Sequence, residues 1–328
     1  MSCEPPFARS VAGSVARTSG PTSAPADAGA SLSRGTLPAI RFRSASAALL
    51  ADPSRLRTRD RAVLRILNRA GAATVAQLTV LAYGHRRVAQ ARLLGLWKLG
   101  LLERAALPPA GLQGGSAYAY RLSRPCLARL GYRRVSRGGT AYLGHTLDAV
   151  EAVCSLVRSG NPESSPRVQA WLTEAMALGV LGAAPAPDAI VVVGSASGSA
   201  VVCLEVDEAT QHRRPIREKL RAYDRALAGR RGWLALFVVP SDARSAWLRR
   251  TAAGLGLEKQ SVVWAVTSQN LAGAGLEAPV TGVGGSGGQP LRALLADRKI
   301  RLSPAPVGSR AWLDLLGTGG GEPLADLL

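Results

Sequence analysis

The chain has 328 residues, enough for about two domains, and 47% of them are hydrophobic, which excludes a wholly disordered protein. Lys and Arg number 41 against 22 Asp and Glu, a net charge of +19 carried almost entirely by arginine. Such a field favours polyanionic partners, since each phosphate neutralised releases condensed counterions, although arginine richness also follows from a GC-rich genome.

Residues 1–57 are rich in Ser, Ala, Pro and Gly with scattered arginines and no sustained apolar period, the pattern of a disordered tail. No apolar run reaches the ~18–20 residues of a membrane span, and no secretion signal opens the chain. No membrane partner is therefore expected, and the expected compartment is the cytoplasm. Cys3, Cys126, Cys154 and Cys203 have no zinc-ligand spacing and read as reduced thiols.

Residues 58–135 carry a different pattern. Thr58 stands where a helix cap belongs, Val63, Leu64, Ile66 and Leu67 recur on one face, and Gly71 closes the helix. Thr74 caps a second helix over 75–81, ending near Gly84. A third, over 87–99, is expected to carry Val88, Ala91, Leu94, Leu96 and Leu99 inward and to stop at Gly100. Alternating segments at 101–104 and 117–122, separated by prolines and glycines, read as a hairpin with a long tip.

Three helices followed by a hairpin predict a winged helix-turn-helix, whose third helix enters the major groove of double-stranded DNA. Its polar face presents Arg86, Arg87, Gln90 and Arg92 to base edges, while Lys98 and Arg104 suit phosphates. A winged helix that binds protein, with solvated arginines, is the competing reading.

Residues 136–165 are read as a connector helix in which Gly144 and His145 precede Leu147, Val150, Val153, Leu156 and Val157 at helical spacing. A single histidine near a helix start is more simply a cap or packing residue than a ligand.

Over 166–268 helix and strand alternate, predicting an α/β domain with a mixed sheet. The expected elements are a helix over 167–178 containing Trp171 and Glu174, strands at 189–193 and 201–206, a helix at 216–227, a strand at 233–239, a helix at 243–255 and a strand at 261–266. Continuous apolar runs in the strands imply a sheet covered on both faces.

Pro187-Asp188 opens one strand, and Glu205-Val206-Asp207 closes the next with its two acids on the same side. Asp188, Glu205 and Asp207 are thus the expected metal ligands, with Glu174 reaching in from the preceding helix. Such hard oxygen donors suit Mg²⁺ or Mn²⁺ acting on a scissile phosphate, and Lys219 would offset charge or position water. The same residues also read as turn, cap and helix ion-pair residues. Residues 269–328, with the glycine-rich run 282–288, are expected to be linker and tail, without the Gly-Lys-Ser/Thr ending of a phosphate loop.

The helix, Pro187-Asp188, Glu205-x-Asp207 and Lys219 resemble the PD-(D/E)xK nuclease superfamily, whose core runs helix, three strands, helix, strand. The chain departs from it at Asp207, which stands where the strand lysine belongs, so Lys219 would be a lysine moved to the following helix, as in some members. The winged helix, the Gly144-His145 start, Pro187-Asp188-Ala189, Leu204-Glu205-Val206-Asp207 and Lys219-Leu220-x-x-Tyr223 together resemble the replication-relaxation family of plasmids and integrative elements, over about residues 58–240. That resemblance implies a part in replication, relaxation or transfer, with replication or conjugation proteins as partners. Cleavage by Asp188, Glu205, Asp207, Lys219 and Glu174 is one expectation. A non-enzymatic DNA-binding regulator with an inactive nuclease-like domain is the alternative.

Overall fold

The computed structural model describes residues 40–45, 56–107, 118–130, 140–160, 167–173, 177, 180–181, 186–195, 198–209, 213–257, 262–283 and 288–297. Of the tail expected over 1–57, residues 1–39 and 46–55 lie outside this set, as does the hairpin tip at 108–117.

Helix α1 (Thr58–Ala70) starts one residue earlier than a Thr58 cap would allow, because the Arg57 backbone N–H donates to Asp60 Oδ2 at 3.0 Å. Gly71, at φ 74°, closes it by donating to the Leu67 carbonyl. Strand β1 (Ala73–Thr74) leads into α2 (Val75–Leu78) through a reciprocal cap. Gln77 N–H donates to Thr74 Oγ1 at 3.2 Å, and Thr74 N–H donates to Gln77 Oε1 at 2.9 Å. A π-helical turn, Thr79–Tyr83, carries the chain to Gly84 and α3 (Arg86–Lys98).

The inward face of α3 is Ala89, Leu93 and Leu96, so that of the expected stripe Leu96 is buried while Val88 and Leu99 are exposed at 43% and 39%. The helix has two apolar stripes, and small Ala89 belongs to the one that is buried in the core. Antiparallel β2 (Leu102–Ala106) and β3 (Tyr118–Leu122) follow, with β1 on the far side of β3, giving the order β1-β3-β2. Residues 40–45 are not free of this unit: Arg43 and Arg104 exchange backbone hydrogen bonds of 2.8 and 3.1 Å. A short helix, α4 (Arg124–Arg129), is capped by Ser123 Oγ, which accepts from Cys126 N–H at 3.2 Å.

Helix α5 (Thr140–Arg158) precedes a seven-stranded mixed sheet of order β10-β9-β8-β7-β6-β5-β4. Its first three strands, β4 (Arg167–Thr173), β5 (Ala189–Ser195) and β6 (Gly198–Val206), form an antiparallel meander. Helix α6 (Arg213–Leu227) crosses over to β7 (Trp233–Val239), and α7 (Asp242–Ala253) to β8 (Val263–Thr267), both strands parallel to β6.

The segment expected as a helix at 167–178 begins as strand β4, and Glu174 lies outside the described residues. Val168, Trp171 and Leu172 fit a helical face, but adjacent Trp171 and Leu172 are both 1% exposed and enter hydrophobic clusters on opposite sides of the sheet. Only strand alternation allows that.

The expected linker also forms regular structure: α8 (Ser268–Ala274), β9 (Pro279–Gly282), β10 (Gly288–Pro290) and α9 (Leu291–Asp297). Buried Val280, Leu291, Leu294 and Leu295 anchor this segment, and the glycine-rich run joins an antiparallel β9–β10 pair. Residues 298–328 of the expected tail lie outside the described set.

One face of the sheet shares a single hydrophobic core with α1 to α5, and the other packs beneath α6 and α7. Burial on both faces accounts for the unbroken apolar runs of β5 to β8. Gln77 stitches α2 to α5, its Nε2 donating to the Leu147 carbonyl at 2.8 Å and to Glu151 Oε2 at 3.2 Å. Among the described residues, no helix is long and apolar enough to cross a membrane.

Candidate functional site

Two groups of polar side chains stand out from this scaffold, one on α3 and one where β5 and β6 meet α5, α6 and α7. On α3, Arg86, Arg87 and Gln90 are exposed. Arg92 is not presented with them. Its guanidinium turns back onto the 1%-exposed Asp60, with Nε at 3.1 Å from Oδ1 and a second bond from Nη2 to Oδ2. Lys98 is exposed, whereas Arg104 is half-buried and stacked over Trp97 and Tyr118, with centroids at 3.8 and 4.7 Å. Trp97 in turn donates from Nε1 to the Arg43 carbonyl at 3.0 Å.

The second group contains the expected acids. Asp188, at the mouth of β5, accepts from the Val206 backbone N–H at 2.7 Å through Oδ2, and its Oδ1 faces His145 Nε2 at 2.9 Å. The other ring nitrogen of His145 lies 3.4 Å from Glu208 Oε1. A carboxylate only accepts, so an imidazole held between two of them carries protons on both nitrogens. The hydrogen bond that His145 donates to Asp188 and the charges of Asp188 and Glu208 accordingly push His145 up to about 9, against burial and Lys219. Burial raises Asp188, but His145, Lys219 and the Val206 N–H outweigh it and leave this acid below its ordinary value.

Glu205, near the end of β6, is 1% exposed and has a partner on each oxygen: the Lys219 ammonium on Oε2 and the Tyr223 hydroxyl, which donates to Oε1. Both partners come from α6, four residues apart, on the side that also buries Ile216, Leu220 and Leu227. Burial, with the nearby charge of Asp188, pushes Glu205 up to about 8 despite these donors. Lys219 is desolvated too, yet Glu205 and Asp188 hold its ammonium above the ordinary lysine value. Burial and Glu205 likewise push the Tyr223 hydroxyl well up.

Asp207 points to a third cation. Arg244, on the first turn of α7, grips it with two bonds, Nε to Oδ2 at 2.7 Å and Nη2 to Oδ1 at 3.2 Å. Its guanidinium stacks over Trp247 at 3.9 Å. Asp207 Oδ1 also accepts the Ala209 N–H at 2.9 Å, closing a turn that sets Ala209 at φ 56°.

Asp188, Glu205, Asp207 and Lys219 thus gather at one end of the sheet, while nothing is described for Glu174. His145, Tyr223 and Arg244 complete the cluster and were not among the expected site residues. Tyr223 had a signal in its spacing from Lys219. His145 had its place in the Gly144-His145 helix start, and Arg244, 37 residues from its partner Asp207, had none.

Whether these acids fit a divalent cation turns on their oxygens. All six carboxylate oxygens of the three acids already face a donor from the protein, and three of those donors are full cations. Among the described residues, no group of three or more His, Cys, Asp or Glu is placed to hold a metal ion. The donor set does not fit Mg²⁺ or Mn²⁺ in this arrangement, because a hard cation needs several of those oxygens free.

Compared with known proteins, residues 64–235, more than half of the chain, match the family model described as replication-relaxation. The matched span runs from α1 to the start of β7 and includes every residue of the cluster except Arg244. No curated protein and no solved structure matches the chain.

Proposed function

Because the chain belongs to the replication-relaxation family, we propose that it binds duplex DNA in the replication or relaxation of a mobile element, docking through α3. The observation that carries this reading is the exposed row Arg86, Arg87 and Gln90 on a helix whose opposite side closes a three-helix core. With the sheet β1-β3-β2 beside it, the unit reads as a winged helix-turn-helix. Arg86, Arg87 and Gln90 have the chemistry to read guanine and adenine edges, and Lys98 suits a phosphate. Arg92 and Arg104 serve this surface indirectly, by bracing α3 against α1 and β2 against Trp97.

The order α5, β4, β5, β6, α6, β7 follows the helix, three strands, helix, strand of the PD-(D/E)xK core, with α5 in the place expected of residues 167–178. This order supports a nuclease-like fold for the α/β part. Its capped acids favour a non-cleaving member. In this reading the cluster is a charge-balanced clasp that joins α5, α6 and α7 to the sheet, and replication or conjugation proteins are its natural partners. The testing experiment is a mobility shift of the full chain on duplex DNA in Mg²⁺ and in EDTA. A shift in both, with the DNA intact, is expected; no shift in either refutes the proposal.

A further inference from the structure

The inner side of α6 is spent on Glu205 and the core, but its outer side carries a row of arginines. Arg213, Arg217 and Arg221 recur at four-residue spacing, about 6 Å apart along the axis. With Arg214 and Glu218, which pair at 3.0 Å, they line an open depression of about 480 Å³. Among the described residues, Arg213, Arg217 and Arg221 have no ion-pair partner.

This arrangement is unfavourable for the isolated helix on two counts. Like charges four residues apart repel, and the first turn holds no acid, so cations stand at the positive end of the helix dipole. A bound anion removes both costs. A linear row of planar guanidiniums, each able to grip a phosphate through two bonds, fits a chain of phosphates better than a single small anion. The surplus of 41 basic over 22 acidic residues makes the long-range field agree.

We propose that the outer face of α6 is a second DNA contact, a phosphate-holding ridge of Arg213, Arg217 and Arg221 that grips the duplex backbone without reading its sequence. The inference rests on the duplex-binding reading and adds to it a surface outside α3. It gives the nuclease-like part a role in affinity, leaving sequence choice to Arg86, Arg87 and Gln90.

The test compares the full-length wild type with Arg213→Gln/Arg217→Gln/Arg221→Gln by anisotropy of a labelled duplex across about 50 to 200 mM salt. Glutamine keeps the helix propensity, and the thermal midpoint is expected not to fall. The plot of log affinity against log salt should become shallower by about 2 to 3 in the triple variant, with discrimination between two duplex sequences unchanged. An unchanged slope alongside wild-type binding that Arg86→Ala/Arg87→Ala abolishes overturns the ridge and leaves the α3 reading standing. Absence of wild-type binding overturns both. An unchanged duplex slope with loss of binding to anionic lipid vesicles overturns the ridge in favour of a membrane surface.

Discussion

Arg244 and Asp207 lie 37 positions apart in sequence and meet in a two-bond pair of 2.7 and 3.2 Å, the guanidinium engaging both carboxylate oxygens. Lys219 pairs with Glu205 and His145 with Asp188. The common consequence is a cluster neutralised by the protein's own cations.

Metal affinity follows from this. Titration of the wild-type chain with Mg²⁺ or Mn²⁺ at millimolar concentration should give no saturable heat and no rise in thermal midpoint. Supercoiled DNA incubated with either ion should remain supercoiled. Saturable binding that disappears in Glu205→Gln would mean that the cations yield to a metal, and the reading of a non-cleaving member would be wrong.

Stability should report the clasp directly. Measured above pH 8, where Glu205 is ionised although burial pushes it up to about 8, Lys219→Met leaves a buried carboxylate without its cation and should cost about 3–5 kcal/mol in denaturant unfolding. Glu205→Gln combined with Lys219→Met removes both charges and should recover most of that loss. If the double variant is no more stable than the single, the pair is not the coupled unit described.

The pH dependence has a sign that can be worked out. His145 is held at about 9 when folded, above the ordinary histidine value near 6.5, so its contribution is full below the unfolded value. It is lost as pH rises through about 9. Asp188, Glu208, Lys219 and Asp148 also bear on this ring, and Glu205 titrates nearby, so the difference between wild type and His145→Gln isolates it. The wild-type advantage in thermal midpoint should shrink between pH 6.5 and about 9; an advantage constant across that window contradicts an imidazolium held between Asp188 and Glu208.

Two arginines five residues apart on α3 should behave differently. Arg92→Ala frees the buried Asp60 of its partner and should destabilise the fold by about 3 kcal/mol. Arg87→Ala should leave stability within about 0.5 kcal/mol and weaken DNA binding. The same unfolding curve and the same mobility shift, run on both variants, separate the brace from the contact.

The elements that the sequence made legible are those with strong local signals. Thr74 announces the start of α2, Gly71 and Gly84 end helices, and the apolar runs of β5 to β8 need a sheet covered on both faces. The misreadings share a cause: patterns that satisfy two periods. Val168, Trp171 and Leu172 fit a helix face as well as a strand buried on both sides, and leucine-rich α3 offers two stripes. The glycine-rich run at 282–288 read as a linker because glycine chemistry is common to linkers and hairpins, while the buried Val280 and Leu291 beside it decide the matter.

Within the site, Asp188, Glu205, Asp207 and Lys219 were legible from strand ends and helix spacing. The cations opposite Asp188 and Asp207 were not, since His145 and Arg244 reach the acids only through tertiary packing. The chemistry inferred from acids alone was therefore that of a metal site, whereas the complete set of partners describes an ion-pair clasp.

The most direct test of the account is the salt-dependent affinity of the full chain for duplex DNA, measured beside Arg86→Ala/Arg87→Ala. The account predicts wild-type binding that weakens steeply with salt, and at least about tenfold weaker binding in the variant at moderate salt. Binding that is absent, or identical in the two proteins, would contradict docking through α3.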